Sequence, residues 1–485
     1  MPVASETTFR PTSLRHERVQ SLLAEHRQRE RPRLRRFWRY YRNRRVESAS
    51  HGSAAGPWDQ EEGLPDRLRR SADGQPHREL VIENDIAWRI HTQVDFMFGK
   101  AIAIKSLSAD PELAARIEAL LNAVFRASGG VAFLQDMALL GSVYGSADVL
   151  VRCDVDRLHG DAAGGFLLEL IEAPRAVPVM SPGDYRQLDA YLIDAPEAEA
   201  WTAATPMAGW LRRLRGRIGP ARPGTVRPVE CWTPTGHQFV RPNGSNTALN
   251  PLGCVPVVNI QNLPQPFHYA GLSDVEPLIP LQDELNTRLS DRANRVTMSA
   301  FKMYLAKGLE GFNDRPVGPG TVWASDNPDA SIQAFGGDSE TPSEDAHIAD
   351  IREALDKASG VSPIAAGVLR GKVGNLTSEN AVRIVLLGMM ARTEKKRITY
   401  GAGIERCCEL ILHAADVHGL LPNRPEDRRV RIDWPDPFPE SRLQQLELAE
   451  RKLRLGVPKR QVLTELGYAE STMPANDPEL PPPPA

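Results

Sequence analysis

Two helix-start signals lie on either side of a short strand-like segment, and this arrangement constrains the fold of the chain more than any other feature. Ser273-Asp-Val-Glu276 has the pattern of a capping box, in which side chains at both ends satisfy free backbone amides. Thr341-Pro-Ser-Glu344 repeats that pattern, with Pro342 at the first helical position, where its missing N–H is not needed. The residues between them are typical of short strands separated by Gly and Pro: KMYLA, TVWAS and SIQAF. We therefore predict two capped helices joined by a small, mostly β insertion.

The first of these helices has an apolar stripe with charged residues on its other faces. The apolar residues recur at three- and four-residue steps: Leu278, Leu281, Leu285, Leu289 and Val296. A helix from Pro280 to Ala300 would be roughly 31 Å long at 1.5 Å per residue. The second helix is predicted to reach about Ser359, with Ile348, Ile351 and Leu355 on one face. Each helix thus has one face for protein and another for water.

Between Leu80 and the first capping box, helical and strand patterns alternate. One predicted helix has Asp110 as its N-cap and Pro111 at its first position. Aliphatic runs bounded by turn residues predict strands in six segments: ADVLVRC (147–153), FLLELIEA (166–173), AVPVM (176–180), DAYLID (189–194), VRPVECW (226–232) and VPVVNI (255–260). The predicted fold class is therefore α+β.

The segment GVLRGKVGNLTSEN, residues 367–380, has the outline of a phosphate-binding loop. A nucleotide-binding loop needs four residues between its glycines, and a Ser or Thr after the lysine to hold magnesium. Here only three residues separate Gly367 from Gly371, and Val373 follows Lys372. The pattern excludes a nucleotide loop and indicates a flexible basic loop.

A long helix is predicted after this loop, starting at Thr377 or Ser378 and reaching about Gly419. Glycines interrupt it at 388, 401 and 403, and each costs about 1 kcal/mol relative to alanine in a helix interior. Such a helix either bends at these glycines or packs closely against a neighbour there.

The N-terminal region is strongly basic. Residues 10–45 hold thirteen arginines and no lysine, against three glutamates, which gives the segment a net charge of +10. One interpretation is a solvated, partly helical arm; the other is an arm that contacts nucleic acid or an acidic partner surface. Residues 48–78 are rich in Gly, Ser, Pro and Asp, and predict a flexible link.

Composition excludes several classes of protein. The net charge of the whole chain is only −3, so the overall balance does not indicate a nucleic-acid-binding protein. No stretch approaches 18 consecutive apolar residues, and the N-terminus lacks an apolar signal-peptide core, so we expect neither a membrane span nor secretion. The five cysteines form no regular framework, which favours a reducing, intracellular setting.

Motifs for catalysis and metal binding are weak. One predicted helix clusters Cys407, Cys408, His413 and His418. Adjacent cysteines point in different directions, whereas zinc usually takes cysteines two to four residues apart. Neither a Gly-x-Ser-x-Gly elbow nor a His-Glu-x-x-His motif is present. We therefore predict that the chain is not an enzyme and has no catalytic residues, metal site or cofactor.

The order of these segments resembles the portal protein of tailed bacteriophages, in the long form found in siphophages. The resemblance covers roughly residues 80–470, and its individual motifs are loose. It rests on these stretches in sequence: NDIAWRIHTQVDFMFGKAIAI, LLGSVYGSADVLV, DVEPLIPLQDELNTRLSDRANRV, NLTSENAVRIVLL, VRIDWPDPFPES and GVPKRQVLTELGY. The basic segment 10–45 and residues 195–225 do not align with the family.

The resemblance implies a structural role. Portal subunits form a homo-oligomeric ring, usually of twelve copies, at one capsid vertex, and double-stranded DNA passes through the ring during packaging and ejection. The expected partners are the terminase large subunit, a head-completion or adaptor protein, and the major capsid or scaffolding protein, with no membrane. The expected location is the portal vertex of the virion, after assembly in the host cytoplasm.

The resemblance also divides the chain into the parts of a portal fold: a mixed α/β wing, a two-helix stem, a small α/β clip, a long kinked tunnel helix and a helical crown. The implied ranges are a basic arm and flexible link (1–79), wing (80–272), stem helix 1 (273–300), clip (301–337), stem helix 2 (338–360), tunnel loop (361–376), long kinked helix (377–429), and crown with a Pro-rich tail (430–485).

Site residues follow from this division. The tunnel loop would contact DNA through Arg370 and Lys372, with Asn375 as a neutral partner. The hinge of the tunnel helix would be at Gly388, Gly401 and Gly403, and the clip would meet its partner through Lys302, Lys307 and Arg315. Two alternatives stay open: a nucleic-acid-processing enzyme, such as a nuclease or motor component, and another phage head structural protein.

Overall fold

The computed structural model describes residues 13–45, 57–69, 79–154, 165–194, 229–241, 244–300, 303–307, 328–335, 342–366, 383–437 and 442–466. The chain divides into two compact units, Met1–Asp433 and Trp434–Ala485. The helices described in the first unit are α1 (His16–Arg42), α2 (Asp85–Phe98), α3 (Pro111–Ala127), α4 (Val131–Tyr144), α5 (Ile279–Ala300), α6 (Pro342–Ser359) and α7 (Leu387–Val417).

The strands of this unit pair antiparallel throughout the described residues. They are β1 (Ala103–Ser106), β2 (Ser146–Cys153), β3 (Phe166–Ile171), β4 (Ala176–Ser181), β5 (Asp184–Ile193), β6 (Val229–Trp232), β7 (Gly236–Arg241), β8 (Gly244–Leu249), β9 (Val257–Gln261), β10 (Met303–Lys307), β11 (Ser331–Phe335) and β12 (Val430–Asp433). One sheet has the order β3-β2-β9 and another β4-β5-β6-β7-β8; β1 pairs with β12, and β10 with β11. This mixture of helix and sheet confirms the α+β class.

The two larger sheets share a core. Leu150 of β2, Tyr191 of β5 and Val257 of β9 belong to one buried apolar cluster. An ion pair also crosses between the sheets, since the Arg152 guanidinium donates to both carboxylate oxygens of Glu230 at 2.7 and 2.8 Å. The strand predictions at β2, β3, β4, β5, β6 and β9 are thereby confirmed.

Helices α3 and α4 show how local sequence sets element ends. Asp110 caps α3 by accepting a hydrogen bond from the Glu112 amide at 3.0 Å, as predicted. Gly145 ends α4 with φ +96°, and a Cβ there would lie 2.4 Å from the Gly271 carbonyl oxygen, so glycine is required.

Within the described residues no single helix is long and apolar enough to cross a membrane; only α3 and α4 taken together, bent by 68°, reach that length and composition.

The arginine-rich segment is a packed helix, which corrects the expectation of a solvated arm. Val19 and Leu23 of α1 are buried in an apolar cluster with Val177, Leu192 and Cys231 of the five-stranded sheet. A 27-residue helix needs such an apolar stripe to hold to the body, and α1 carries one beneath its arginines. Helix α1 therefore belongs to the fold itself.

Many of its arginines pair with acids far away in sequence. Arg27 and Arg31 contact Asp194 at the end of β5. Arg33 pairs with Glu276, and the Nη2 atom of Arg39 lies 2.7 Å from Glu62. The acidic surface expected of a partner is thus supplied, for these residues, by the same chain.

Part of the expected flexible link is also packed. Residues 57–69 include the 3₁₀ turn Asp59–Gly63 and the buried side chains of Gln60, Leu64 and Leu68. Leucines at this spacing cover the apolar surface beside α5, so this stretch is not a free linker. Residues 46–56 and 70–78 lie outside the described residues.

The boundary proposed for the crown is also corrected. Strand β12 pairs with β1 in the register Ala103 with Asp433 and Ser106 with Val430. Because a strand without a partner leaves its backbone groups unsatisfied, Val430–Asp433 belong with the first unit and not with the segment that follows.

The second unit contains two short helices, α8 (Arg442–Arg454) and α9 (Lys459–Glu465). Gly456 has φ +85°, which stops the first helix and turns the chain. Ala449 and Val462 are buried, and Lys452 Nζ lies 2.6 Å from Glu465 Oε2. The Pro-rich tail lies outside the described residues.

Candidate functional site

Helices α5 and α6 form an antiparallel pair, because the β10–β11 hairpin joins the end of one to the start of the other. The pair buries Leu285 and Leu289 of α5, and Ile348, Ile351 and Leu355 of α6. Polar contacts continue towards the hairpin, where Arg292 meets Asp345 at 2.6 Å and Arg295 meets Glu344. The two predicted helices are confirmed, except that Val296, predicted in the buried stripe, is 43% exposed. Strands are confirmed at KMYLA and SIQAF, whereas TVWAS lies outside the described residues.

The start of α5 confirms one half of the predicted capping box. Ser273 Oγ accepts hydrogen bonds from the amides of Val275 and Glu276 at 3.0 and 3.3 Å. The Glu276 carboxylate does not return to Ser273 but pairs with Arg33 of α1. The cap of α6 at Thr341 lies outside the described residues.

The solvent face of α6 carries more acidic than basic side chains. Asp345, Asp350 and Glu353 are exposed on it, together with Ala346 and Ala349, and Lys357 pairs with Glu353. Carboxylates along one exposed face create a negative potential, which repels phosphate unless cations intervene. This face can therefore border a nucleic acid without binding it tightly.

A buried ion pair fixes the start of α5 to helix α7. Lys396 Nζ lies 2.5 Å from Asp274 Oδ2, and Arg392, one turn earlier on α7, reaches Asp274 Oδ1 at 2.6 Å. Lys396 also donates to Gln93 Oε1 at 2.6 Å and to Ser142 Oγ at 3.2 Å. Side chains from α2 and α4 thus contact Lys396 of α7, which in turn pairs with Asp274 in the segment that leads into α5.

Electrostatics keep this carboxylate ionised. Burial alone would raise the pKa of Asp274, but Lys396 and Arg392 lower it below its ordinary value. Burial lowers the pKa of the Lys396 ammonium, which Asp274 opposes. A buried charge in contact with opposite charges is costly to separate, so the pair resists any movement that pulls α5 from α7.

A second buried ion pair fixes the end of α6. Arg89 of α2 is fully buried, and its two ends contact Asp85 at 2.8 Å and Asp356 of α6 at 2.6 Å. The same guanidinium donates to Ser359 Oγ at 3.1 Å and to the Val361 carbonyl at 3.4 Å. A planar guanidinium is suited to such bridging because its donors point in fixed, divergent directions.

Arg392 connects the two buried ion-pair groups, the one at Asp274 and the one that fixes the end of α6. Gly360 ends α6 with φ +65°, and a Cβ built there would lie 3.3 Å from Arg392 Cδ. The Arg392 side chain therefore runs from the Asp274 carboxylate, before α5, to the residue after α6. We call the group Arg89, Asp274, Asp356, Arg392 and Lys396 the stem junction.

Most of the site residues expected from sequence fall outside the described residues. This holds for Arg370, Lys372 and Asn375 of the tunnel loop, and for Lys302 and Arg315 of the clip. Lys307 is described as the exposed last residue of β10, opposite Ser331.

The three predicted hinge glycines lie in one uninterrupted helix, α7. A Cβ at Gly388 would meet nothing within 4 Å, whereas a Cβ at Gly403 would lie 2.4 Å from Ile260 Cγ1 of β9. At Gly403 the structure thus fits close packing, one of the two roles expected of these glycines. Their action as hinges stays a prediction.

The cysteine and histidine cluster of α7 has ordinary packing partners. Cys407 and Cys408 are buried, and burial raises the pKa of the Cys407 thiol to about 12. His413 contacts the Leu252 carbonyl oxygen through Nε2 at 2.9 Å. Among the residues that the structure describes, no three His, Cys, Asp or Glu side chains are placed to hold a metal ion.

Sequence reasoning missed the stem junction. The residue that could have indicated it is Lys396, which shares a helix face with the buried residues Met389, Thr393, Tyr400 and Cys407. A lysine on a buried stripe needs a buried acid, but the acid, Asp274, is distant in sequence and had been assigned only to the capping box.

Residues 228–467 match the family model described as phage portal protein, SPP1 Gp6-like. No curated protein matches the chain. The structure is similar to a chain in the virion of the native gene transfer agent (GTA) particle, with 12% identity, 79% of this chain and 89% of that chain covered, and a TM-score of 0.44. A chain from the neck of the native GTA particle, computed with C12 symmetry, has 12% identity, the same coverages and a TM-score of 0.43.

Proposed function

Because residues 228–467 belong to the phage portal protein family of the SPP1 Gp6-like type, we propose that the chain is a structural subunit of a portal ring at a capsid vertex. The ring is a conduit for double-stranded DNA during packaging and ejection. The family match carries this proposal, since it includes both stem helices, the hairpin between them and α7. It favours a structural role over a nuclease or a motor component.

A closed ring suits the elongated α5–α6 pair. Head-to-tail contacts between identical subunits close into a ring when the rotation between neighbours permits it, and family members usually close with twelve copies. In this arrangement the acidic face of α6 borders the tunnel. Repulsion between its carboxylates and DNA phosphates lets the duplex slide, whereas many phosphate contacts would hold it.

The loop between α6 and α7 is the proposed contact with DNA. Arg370 and Lys372 would meet phosphates in a way that carries no sequence information, with Asn375 as a neutral neighbour. Helix α7 stands behind the loop, with Gly388, Gly401 and Gly403 as its proposed hinge positions. The chain itself would not hydrolyse nucleotide, so the energy for translocation comes from a docked motor.

The stem junction gives this proposal a mechanical element. Lys396 and Arg392 on α7 hold the residue before stem helix 1, and Arg392 also contacts the end of stem helix 2. A shift of α7 would therefore also move the residues before α5 and after α6. The proposed docking partners are the terminase large subunit, a head-completion or adaptor protein, and the capsid or scaffolding protein. The terminase would dock on the segment between α5 and α6, through Lys302, Lys307 and Arg315.

Copy number in purified particles tests the structural role. Quantitative mass spectrometry of DNA-filled particles should find this chain at about one-ring stoichiometry, far below the major capsid protein. Absence from particles, or a copy number similar to that of the capsid protein, would exclude a portal.

The loop contact is tested separately with Arg370→Ala combined with Lys372→Ala. The double variant should form rings as the wild type does but package or retain less DNA, because the phosphate contacts are lost. Normal packaging by this variant would remove the loop from the mechanism without affecting the structural assignment.

A further inference from the structure

Four uncharged polar residues recur at every fourth position of α5, so that they form one line along the helix. They are Gln282, Asn286, Ser290 and Asn294, and the first three are completely buried. Polar side chains in a buried position need hydrogen-bond partners, because each unsatisfied group costs free energy. We call this line the α5 ladder.

Residues 79–84 run beside the α5 ladder in an extended conformation and lead into α2, and alternate residues from Glu79 to Asp85 bond to the ladder through their backbone. Asn294 accepts from the Glu79 amide at 3.0 Å and donates to the Glu79 carbonyl at 2.8 Å. Ser290 accepts from the Val81 amide at 3.0 Å, and its single hydroxyl proton faces the carbonyls of Asn286 at 2.8 Å and Val81 at 3.3 Å.

The pattern continues towards the start of the helix. Asn286 accepts from the Glu83 amide at 3.0 Å. Gln282 donates to the Glu83 carbonyl at 2.6 Å and accepts from the Asp85 amide at 3.1 Å. The ladder residues therefore bond to alternate residues of the extended segment, which runs in the direction opposite to that of α5.

The match follows from the geometry of the two elements. Four residues of an α-helix advance about 6 Å, and two residues of an extended strand advance about 6.6 Å. In an extended strand the N–H and C=O of one residue point to the same side, and alternate residues share that side. A helix with amide or hydroxyl side chains at every fourth position thus presents donors and acceptors as the edge of a β-strand does.

Earlier parts of the chain contact α5 and the turn before it at further points. The Tyr40 hydroxyl of α1 donates to Asp283 at 2.7 Å, and Arg67 lies 2.7 Å from Asp291. Arg33 of α1 pairs with Glu276 in the turn before α5. Gln60 accepts a hydrogen bond from Asn286 at 2.9 Å, so the ladder also reaches residues 57–69.

We propose that the α5 ladder is a binding surface for extended main chain, occupied by residues 79–85, and that it holds α5 to the stretch of chain that leads into α2. Recognition is through backbone groups, so the side chains of residues 79–83 can vary while the contact persists. The proposal concerns how α5 is positioned and does not depend on the portal assignment.

Hydrogen exchange of the full-length protein, localised to single amides by mass spectrometry with electron-transfer fragmentation, tests this surface. The wild type should show alternation: the amides of residues 79, 81 and 83 exchange slowly, and those of residues 80 and 82 exchange faster. Ser290→Ala removes the acceptor of the Val81 amide and should speed exchange of that amide by about tenfold, as expected for a loss near the upper end of single hydrogen bonds.

Thr287→Val is the matched control. Thr287 is also buried on α5, and its hydroxyl donates to the carbonyl four residues earlier at 2.8 Å, as that of Ser290 does, but Thr287 does not contact residues 79–85. It should leave exchange at Val81 unchanged. Uniformly fast exchange across residues 79–83 in the wild type, or equal effects of the two variants, would overturn the proposal.

Discussion

The Nζ atom of Lys396 lies 2.5 Å from Oδ2 of Asp274, so a buried ion pair joins the long helix α7 to the segment that leads into α5. Asn262 also donates to the same oxygen at 2.9 Å. The carboxylate is thereby surrounded by donors from two segments, α7 and the loop after β9. Its removal affects the start of α5, the middle of α7 and the loop after β9 together.

Asp274→Asn should lower the free energy of unfolding by about 3–5 kcal/mol, because it leaves the buried Lys396 and the partly buried Arg392 without their shared carboxylate. Chemical denaturation at a fixed protein concentration measures the change. Asp291→Asn, which breaks the partly exposed pair with Arg67, is the control and should cost less than about 1 kcal/mol. Equal losses in the two variants would contradict a special role for the buried pair.

Arg89→Lys should destabilise the protein by about 2–4 kcal/mol, although it keeps the positive charge. A lysine ammonium cannot reach Asp85 and Asp356 at the same time, as the guanidinium does. Hydrogen exchange should also rise at residues 356–361, where Arg89 holds the end of α6. Arg352→Lys, at a more exposed pair with Glu83, should change stability little. A neutral effect of Arg89→Lys would show that one contact is sufficient.

The contacts of the Glu230 carboxylate with Arg152 and His237 should make a contribution to stability that is lost in acid. Burial would raise the pKa of its carboxyl, but Arg152 and His237 lower it from the ordinary 4.5 to about 2. A lowered folded-state pKa means that the contribution is complete above about pH 4.5 and is lost as the pH falls towards 2. The stability difference between wild type and Glu230→Gln should therefore be on the order of 3 kcal/mol at neutral pH and shrink in that window.

Urea denaturation at a series of pH values measures this difference. The matched control is Glu353→Gln, which removes a carboxylate from the exposed face of α6. Its stability difference should stay small throughout. A difference for Glu230→Gln that does not vary with pH would contradict the assigned pKa direction.

Features with a local cause could be predicted from the sequence. The cap of α3 at Asp110, the amide-accepting role of Ser273 and strands β2 to β6 and β9 depend on neighbouring residues, and they are confirmed. Strands β7 and β8, which complete the five-stranded sheet, were not predicted. The strand insertion between α5 and α6 is confirmed for the same reason.

Features with distant partners could not be predicted in this way. The sequence left the basic segment as either a solvated arm or an arm for an external partner, because the acids that meet its arginines, at 62, 194 and 276, are spread along the chain. The α5 ladder could not be predicted, because Gln, Asn and Ser at four-residue steps are ordinary on a helix surface. Their burial becomes visible only when the extended segment 79–85 is in place.

The central claim is that this chain closes into a ring whose stem borders a DNA tunnel, and electron cryomicroscopy of the purified full-length protein tests it most directly. The account predicts annular particles with an axial channel, in which α5 and α6 form the narrow region and the exposed carboxylates of Asp350 and Glu353 face the channel. Only monomers or dimers under all conditions, or rings in which this face of α6 points outward, would contradict it.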